Sequence, residues 1–234
     1  MSDLHGLAWP EVARRSRSGA ILLIPVGSTE QHGPHLPCTT DTDIAAAMAA
    51  GASERLDRVV VAPPFPYGSS GEHQGFAGTL SIGREATELA LVELGRSACT
   101  DFAHVVMVST HGGNAVPVTR AMARLAADGL PVTTWSPSWS GDLHAGRTET
   151  SLLLAIAPQR VRVDRAEPGD TRPIATLLPL LRDHGVRAVS PNGVLGDPTG
   201  ASAEEGHRLL ADACEQLVGR LERLDGHTNE EVTG

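Results

Sequence analysis

The sequence predicts an α/β fold in which helices cover both faces of a mostly parallel sheet. Short runs rich in Val, Ile and Leu lack the alternation of polar and apolar residues that a half-exposed strand shows, so we expect these strands to be buried on both faces. Longer segments, whose alanines and leucines recur at helical spacing, separate the runs. The resulting β-α-β-α-β-α-β order favours parallel strands joined by right-handed crossovers.

The elements follow one another without an internal repeat or linker. The predicted strands are the segments 20–26, 58–62, 104–109 and 131–135. The predicted helices are 42–56, 84–102, 115–127, 148–156 and 201–224. Asp128-Gly129 is a suitable end for the third helix, and 193–200 is a Gly/Pro loop. We therefore expect one domain over residues 1–224 and a polar C-terminal tail over 225–234.

Composition excludes several classes of protein. Of 234 residues, 41% are hydrophobic and 20% are charged, which excludes a fully disordered chain. The net charge of −9 argues against nucleic acid as a partner, because phosphate binding needs clustered Lys and Arg. The apolar run 20–26 is too short to cross a membrane. Three distant cysteines without a CxxC motif fit a reducing cytoplasm and exclude a thiolate zinc site.

Three dense polar clusters come after predicted strands. They span 27–37, 110–114 and 144–151, and they follow the first, third and fourth strands. In parallel α/β sheets, the loops at the C-terminal ends of the strands build the functional site. We therefore expect the three clusters to meet at one edge of the sheet.

Histidines and carboxylates in and between these clusters form a candidate metal site. Glu30 and His32 are two residues apart, so in an extended segment both side chains point to the same side. Asp41 stands at the start of a predicted helix, where on its own it would be expected to cap that helix. The candidate ligands are two imidazoles and three carboxylates: Glu30, His32, Asp41, His111 and Glu149. This mixture is typical of Zn, Mn or Fe sites.

The number of candidate ligands favours two divalent ions that share a carboxylate, because a single catalytic zinc uses roughly three protein ligands. Asp41 is the candidate bridge. A pair of ions can polarise an amide carbonyl and activate a water molecule. His144 remains as a side chain that could protonate a leaving nitrogen or stabilise an oxyanion. The catalytic candidates are His144 and Glu149, and Glu149 is also counted as a ligand.

Four motifs carry a resemblance to a known family. They are Glu30-Gln-His32-Gly-Pro-His35-Leu-Pro37, Thr40-Asp41, His111-Gly-Gly-Asn114 and His144-Ala-Gly-x-x-Glu149. These motifs resemble the signature of the creatininase family of amidohydrolases. The resemblance implies a creatininase-like three-layer α/β/α fold, a dinuclear metal centre that hydrolyses C–N amide bonds, and a closed homo-oligomer, often a hexamer.

One departure from the family pattern bears on the substrate. Members that hydrolyse creatinine carry a Glu two residues after the histidine, where this chain has Gly113. Glu149 is the expected replacement, as in relatives with a His-Gly-Gly-Asn motif. Creatinine is therefore a doubtful substrate.

Within the family, the segments 7–12, 25–37 and 193–201 are most similar to the branch of peptidases that mature the mycofactocin precursor. That resemblance implies a small modified peptide as substrate, cut near its C-terminus to release the fragment derived from its terminal Val-Tyr. A family hydrolase of a small cyclic amide or formamide is the alternative. A nucleotide-binding module is disfavoured because no GxGxxG or GxxxxGK[ST] motif follows a strand.

Four other side chains have roles that the sequence leaves open. Glu72 and His73 lie in a Gly/Ser-rich loop after the second predicted strand, where a substrate contact and a plain surface loop are equally expected. Trp135 and Trp139 flank Pro137 ahead of the third polar cluster. Each tryptophan could wall the pocket or pack in the core.

Overall fold

A four-stranded parallel sheet lies at the centre of the protein. The computed structural model describes residues 3–139, 141–142 and 144–224, and the predicted tail 225–234 lies outside the described residues. The strands are β1 Ile21–Val26, β2 Val59–Val61, β3 His104–Ser109 and β4 Val132–Trp135, in the order β2-β1-β3-β4. In this sheet Ile21 pairs with Val59 on one side and with His104 on the other. The predicted strands and their parallel order are confirmed.

Eight α-helices occur in the described residues. They are α1 Trp9–Arg17, α2 Thr40–Arg55, α3 Arg84–Ala98, α4 Ala115–Ala127, α5 Arg147–Ile156, α6 Ile174–His184, α7 Val186–Val189 and α8 Ala203–Glu222. All five predicted helices form, but α3 ends at Ala98 rather than at residue 102. The chain turns there so that Phe102 enters the core ahead of β3. None of these eight helices is both long and apolar enough to cross a membrane.

The helices form two layers, one on each face of the sheet. Alternate strand residues such as Leu23 and Val106 pack against α2, α5 and α8. Their neighbours, among them Leu22 and Met107, pack against α3 and α4 on the other face, and α1 joins that layer through Val12. The three-layer α/β/α fold expected from the family resemblance is confirmed. Both faces are covered, which explains why the strand sequences are apolar throughout.

Helices α5 and α8 pack closely at Gly206. A Cβ atom at this position would overlap the carbonyl oxygen of Ser151 and lie 2.9 Å from the Cβ of Ala155. The Ser151 hydroxyl donates a hydrogen bond to the Glu205 carboxylate across the same contact, at 2.9 Å. The two backbones therefore approach as closely as a residue without a side chain permits.

Gly206→Ala is expected to destabilise the protein by about 1–3 kcal/mol, because the added methyl group has no room between the helices. Gly219→Ala in the same helix is the matched control, since the nearest atom to its new Cβ would be Arg223 Nη1 at 3.7 Å. This control should be stabilising by about 0.5–1 kcal/mol through helix propensity. Urea denaturation of the variants measures both changes. Equal unfolding free energies for the two variants would contradict the close packing.

Candidate metal centre

The five predicted ligands lie together at the C-terminal edge of the sheet. Glu30 and His32 follow β1, and His111 follows β3. Asp41 lies in the first turn of α2, and Glu149 lies in the first turn of α5. The first four are buried, and the Glu149 side chain is 16% exposed. Two loops and two helix starts thus bring these side chains to one place, as the position of the polar clusters predicts.

Asp41 faces two histidines and does not cap its helix. Its Oδ1 lies 3.6 Å from Nε2 of His32, and its Oδ2 lies 3.3 Å from Nδ1 of His111. The Ser28 hydroxyl donates a hydrogen bond of 2.6 Å to Oδ2. One carboxylate oxygen therefore points toward each imidazole, which is the orientation that a bridging carboxylate requires.

The carboxylate of Glu30 is fully buried among histidines. Its Oε2 lies 3.1 Å from Nε2 of His111, and its Oε1 lies 3.3 Å from Nε2 of His73. Neither oxygen has a hydrogen-bond partner among the described residues, and the same is true of Nε2 of His32. Burying unpaired charge is strongly unfavourable, so a cation between these atoms would stabilise the arrangement.

Three imidazoles have one ring nitrogen within hydrogen-bond distance of a backbone carbonyl and the other facing a carboxylate. The three pairs are His32 Nδ1 with Glu30 O at 3.1 Å, His111 Nε2 with Ser69 O at 3.0 Å, and His144 Nε2 with Gln31 O at 2.9 Å. In His111 the carbonyl-facing Nε2 also lies 3.1 Å from Oε2 of Glu30. A carbonyl only accepts, so it fixes the proton on the nitrogen that faces it. Metal-binding histidines are commonly held in this way.

The electrostatics of the cluster favour positive charge at its centre. Burial alone would lower the pKa of His32, but the Asp41 and Glu149 carboxylates raise it to about 10. Burial acts in the same direction on His111, and Glu30 and Asp41 raise its pKa to about 10. Burial raises the pKa of Glu30 to about 7, against the effect of His111.

Within the described part of the chain, three groups of donor atoms are close enough to hold an ion. They are Glu30 with Asp41 and His111, His32 with His144 and Glu149, and Glu30 with His73 and His144. Within each group, the donor atoms lie within 4.8 Å of one another. The buried atoms without partners and the mixed donor set both fit divalent metal ions. Metal binding by the five residues stays a prediction.

His144 and Glu149 are held by a strained turn between β4 and α5. Ala145, buried between them, has a φ of 53°, which is uncommon for a residue other than glycine. Its N–H donates a 2.5 Å hydrogen bond to Oε2 of Glu149. The backbone of His144 also pairs with that of Leu195 through two hydrogen bonds, of 3.3 and 2.9 Å. The loop at 193–196 therefore helps to position the His144 ring.

The sequence alone does not decide the role of His73. In the structure, its side chain lies inside the cluster. The side chain is buried, and its ring centroid lies 4.5 Å from that of His144. Burial and the neighbouring His111 lower the pKa of His73 to about 3, and burial together with His32 holds the pKa of His144 well below its usual value. The sequence feature that could have indicated this position is that the loop containing His73 follows β2 and so lies at the same edge of the sheet.

Glu72 occupies the space beside Gly113. A Cβ atom at Gly113 would overlap Oε1 of Glu72, the carbonyl oxygen of Ser69 and Nε2 of His111. Oε1 of Glu72 lies 3.8 Å from Nε2 of His111, and the Glu72 side chain is 28% exposed. A carboxylate from the loop after β2 therefore stands near the position where creatinine-hydrolysing members carry their glutamate.

A cavity of about 550 Å³ opens beside the cluster. Its walls include Gln31, Phe76, Arg165 and Asn192. Trp135 and Trp139 are not among its lining residues and instead pack against the core on the α2, α5 and α8 face. This favours a packing role for the two tryptophans.

Residues 5–221 match the model of the creatininase family, described as creatinine amidohydrolase. The chain belongs to the creatininase family. It is 50% identical over 212 residues to the mycofactocin precursor peptide peptidase of Mycobacterium ulcerans, covering 86% of this chain and 84% of that protein. It is 49% identical over 220 residues to the protein of the same name from Mycolicibacterium smegmatis, covering 91% and 89%.

A solved structure of a manganese form of creatininase has the same fold as this family member. The TM-score is 0.80 at 24% identity, with 95% of this chain and 98% of that chain covered. The resemblance to the creatininase family predicted from the four motifs is thereby confirmed. So is the similarity to the mycofactocin branch, through relatives at about 50% identity.

Gly113→Ala is expected to weaken metal retention at least about tenfold, because the new methyl group displaces the His111 ring and the Glu72 carboxylate. The neighbouring Gly112→Ala is the matched control, since a Cβ there meets no described atom within 4 Å. Elemental analysis after dialysis against graded concentrations of a chelator compares the variants. Equal retention by the two alanine variants would show that the space at Gly113 has no part in the site.

Proposed function

We propose that this member of the creatininase family is a metal-dependent peptidase. Its proposed substrate is a modified mycofactocin precursor peptide, cleaved near its C-terminus to release the Val-Tyr-derived fragment. The observation that carries the proposal is that five side chains lie together at one edge of the sheet: Glu30, His32, Asp41, His111 and Glu149. Both carboxylate oxygens of Glu30 and Nε2 of His32 are buried without a hydrogen-bond partner among the described residues. Identity of about 50% to proteins named mycofactocin precursor peptide peptidase supports the choice of substrate.

Two divalent ions, Zn, Fe or Mn, are the proposed cofactors. Glu30, Asp41 and His111 would hold one ion, and His32, Asp41 and Glu149 would hold the other. When bound, such ions polarise an amide carbonyl and lower the pKa of water. Mixed sites of imidazole and carboxylate accept all three metals, and availability decides among them.

His144 is the proposed proton carrier, with Glu149 beside it. The backbone oxygen of Gln31 fixes the Nε2 proton of His144, and its Nδ1 faces the cluster, 3.7 Å from Oε1 of Glu30. Nδ1 can therefore accept a proton and return it to the leaving nitrogen. The bond from Ala145 N–H to Glu149 holds the turn that carries the His144 ring.

The cavity beside the cluster suits a peptide. Its volume of about 550 Å³ is within the usual range for ligand sites, roughly 300–1,000 Å³. It begins at Gln31, whose side-chain amide contacts both His73 and His144. A segment of several residues could therefore extend from the scissile bond along the wall that contains Phe76 and Arg165. The alternative substrates, a small cyclic amide or a formamide, would leave most of this space empty.

We further propose that the enzyme is a cytoplasmic homo-oligomer, closed and hexamer-like. Ile174, Leu178 and Leu180 of α6 are 44%, 38% and 38% exposed, and an interface between subunits would cover them. Three free cysteines are compatible with a reducing compartment. Sedimentation equilibrium of the purified protein measures the subunit number.

Glu30→Gln is expected to remove bound metal and to lower turnover by at least about 100-fold, because an amide is a poor ligand for these ions. The fold should persist, since the substitution is isosteric and removes a buried charge. Glu85→Gln, on an exposed face of α3, is the control and should retain both metal and activity. Elemental analysis and circular dichroism are measured with the rate. A metal-free Glu30→Gln protein with full activity would refute the metal mechanism.

Incubation of the metal-loaded enzyme with the modified precursor peptide is expected to release a single C-terminal fragment, detected by mass spectrometry. EDTA should abolish the release, and added Zn, Mn or Fe should restore it. A cyclic amide and a formamide serve as comparison substrates. Faster hydrolysis of either small amide, with no cleavage of the peptide, would favour the alternative function.

A further inference from the structure

The side-chain amide of Gln31 lies between two of the inner histidines. Its Oε1 accepts a hydrogen bond of 2.8 Å from the backbone N–H of Gly33, which fixes the orientation of the amide. Its Nε2 therefore faces the other way, 2.9 Å from Nδ1 of His73, 3.0 Å from Nε2 of His144 and 3.0 Å from the carbonyl oxygen of Gly193. A Cβ atom at Gly193 would overlap Oε1 of Gln31, so the amide fits only beside a glycine.

The hydrogens in this arrangement can be counted. The Gln31 amide has two N–H donors. One goes to the Gly193 carbonyl, which can only accept, so the other must find a bare ring nitrogen on His73 or His144. Nε2 of His144 lies 2.9 Å from the Gln31 carbonyl oxygen, to which it donates its own proton. The remaining acceptor is Nδ1 of His73.

The ring of His73 is thus the reverse of the rings of His32 and His144. Each of these two donates one ring N–H to a backbone carbonyl and turns its other nitrogen toward the carboxylates. His73 uses its bare nitrogen to accept from an amide, so its proton is on Nε2. That nitrogen lies 3.3 Å from Oε1 of Glu30.

We propose that Gln31 is a positioning residue that fixes the proton of His73 on Nε2 and so keeps His73 from coordinating metal. The inference rests on the proposed metal centre. Of the three groups of donor atoms, the one made by Glu30, His73 and His144 is then closed to an ion, because a protonated nitrogen has no lone pair to donate. The two groups that remain are those containing Asp41 with His111 and His32 with Glu149.

Long-range ¹H–¹⁵N correlation spectra of ¹⁵N-histidine-labelled protein read the ring protons directly and need no turnover. In the metal-free and the zinc-loaded protein, His73 is expected to carry its proton on Nε2, with no change on adding zinc. Signals are assigned by His73→Gln, which removes that ring. A proton on Nδ1 of His73 in either form, or a shift of its Nε2 signal to that of a metal-bound nitrogen, would overturn the proposal.

The variant Gln31→Glu tests whether the Gln31 amide is what holds the proton of His73 on Nε2. A carboxylate cannot donate, so His73 is expected to move its proton to Nδ1 and to turn a bare Nε2 toward Glu30 and His144. The zinc-loaded variant should then show a metal-bound Nε2 on His73. Gln216→Glu, exposed on α8, is the matched control and should leave the spectrum of His73 unchanged. Unchanged His73 signals in folded Gln31→Glu protein would overturn the proposal.

The test of the proposed peptidase function is separate from the test of the role of Gln31. Cleavage of the precursor peptide is measured on the unaltered enzyme, and its absence would refute the peptidase proposal without moving the ring protons of His73. Conversely, a metal-bound His73 in an active peptidase would refute the role of Gln31 alone. If Gln31→Glu fails to fold, the spectra of the unaltered protein still decide the question.

Discussion

The arrangement of the site depends on the buried carboxylate of Glu30. It lies in the loop after the inner strand β1 and is fully buried. Positive charge next to a buried carboxylate stabilises its ionised form. The imidazoles of His111 and His73 lie 3.1 and 3.3 Å from its oxygens, so the loops after β2 and β3 meet the loop after β1 at this carboxylate.

Stability and metal binding are coupled by the same geometry. In His32, His111 and His144, a backbone carbonyl accepts a hydrogen bond from one ring nitrogen and so fixes its proton. The other nitrogen of each ring is therefore already oriented before an ion binds. An ion that binds this arrangement and not the unfolded chain adds its binding free energy to the stability of the fold. The contact between α5 and α8 at Gly206 also bears on the site, because α5 carries Glu149 in its first turn and is held in place by α8.

The strands of the sheet and the grouping of the candidate ligands could both be predicted from the sequence, but for different physical reasons. Strands covered on both faces must be apolar throughout, so β1 and β3 were recognisable from their residues alone. Helices α1, α6 and α7 were not predicted, and α6 contains Pro179, which normally argues against a helix. The candidate ligands could be proposed because four of the five lie in dense motifs that follow strands, and their binding of metal stays a prediction. His73 and Gln31 were not given roles, since spacing indicates which side chains are near each other but not which nitrogen faces which acceptor.

The absence of a side chain at Gly113 leaves space for a carboxylate from another loop. A glutamate at this position would begin at a Cβ that overlaps the His111 ring, so in this backbone such a side chain has no room. Glu72 instead reaches the same space from the loop after β2 and remains 28% exposed. A carboxylate placed there stays accessible on the open side of the cluster, whereas Glu30 and Asp41 are sealed beneath it. The buried carboxylates are therefore available only to ions, and Glu72 is the acidic group beside His111 that an incoming substrate could also contact.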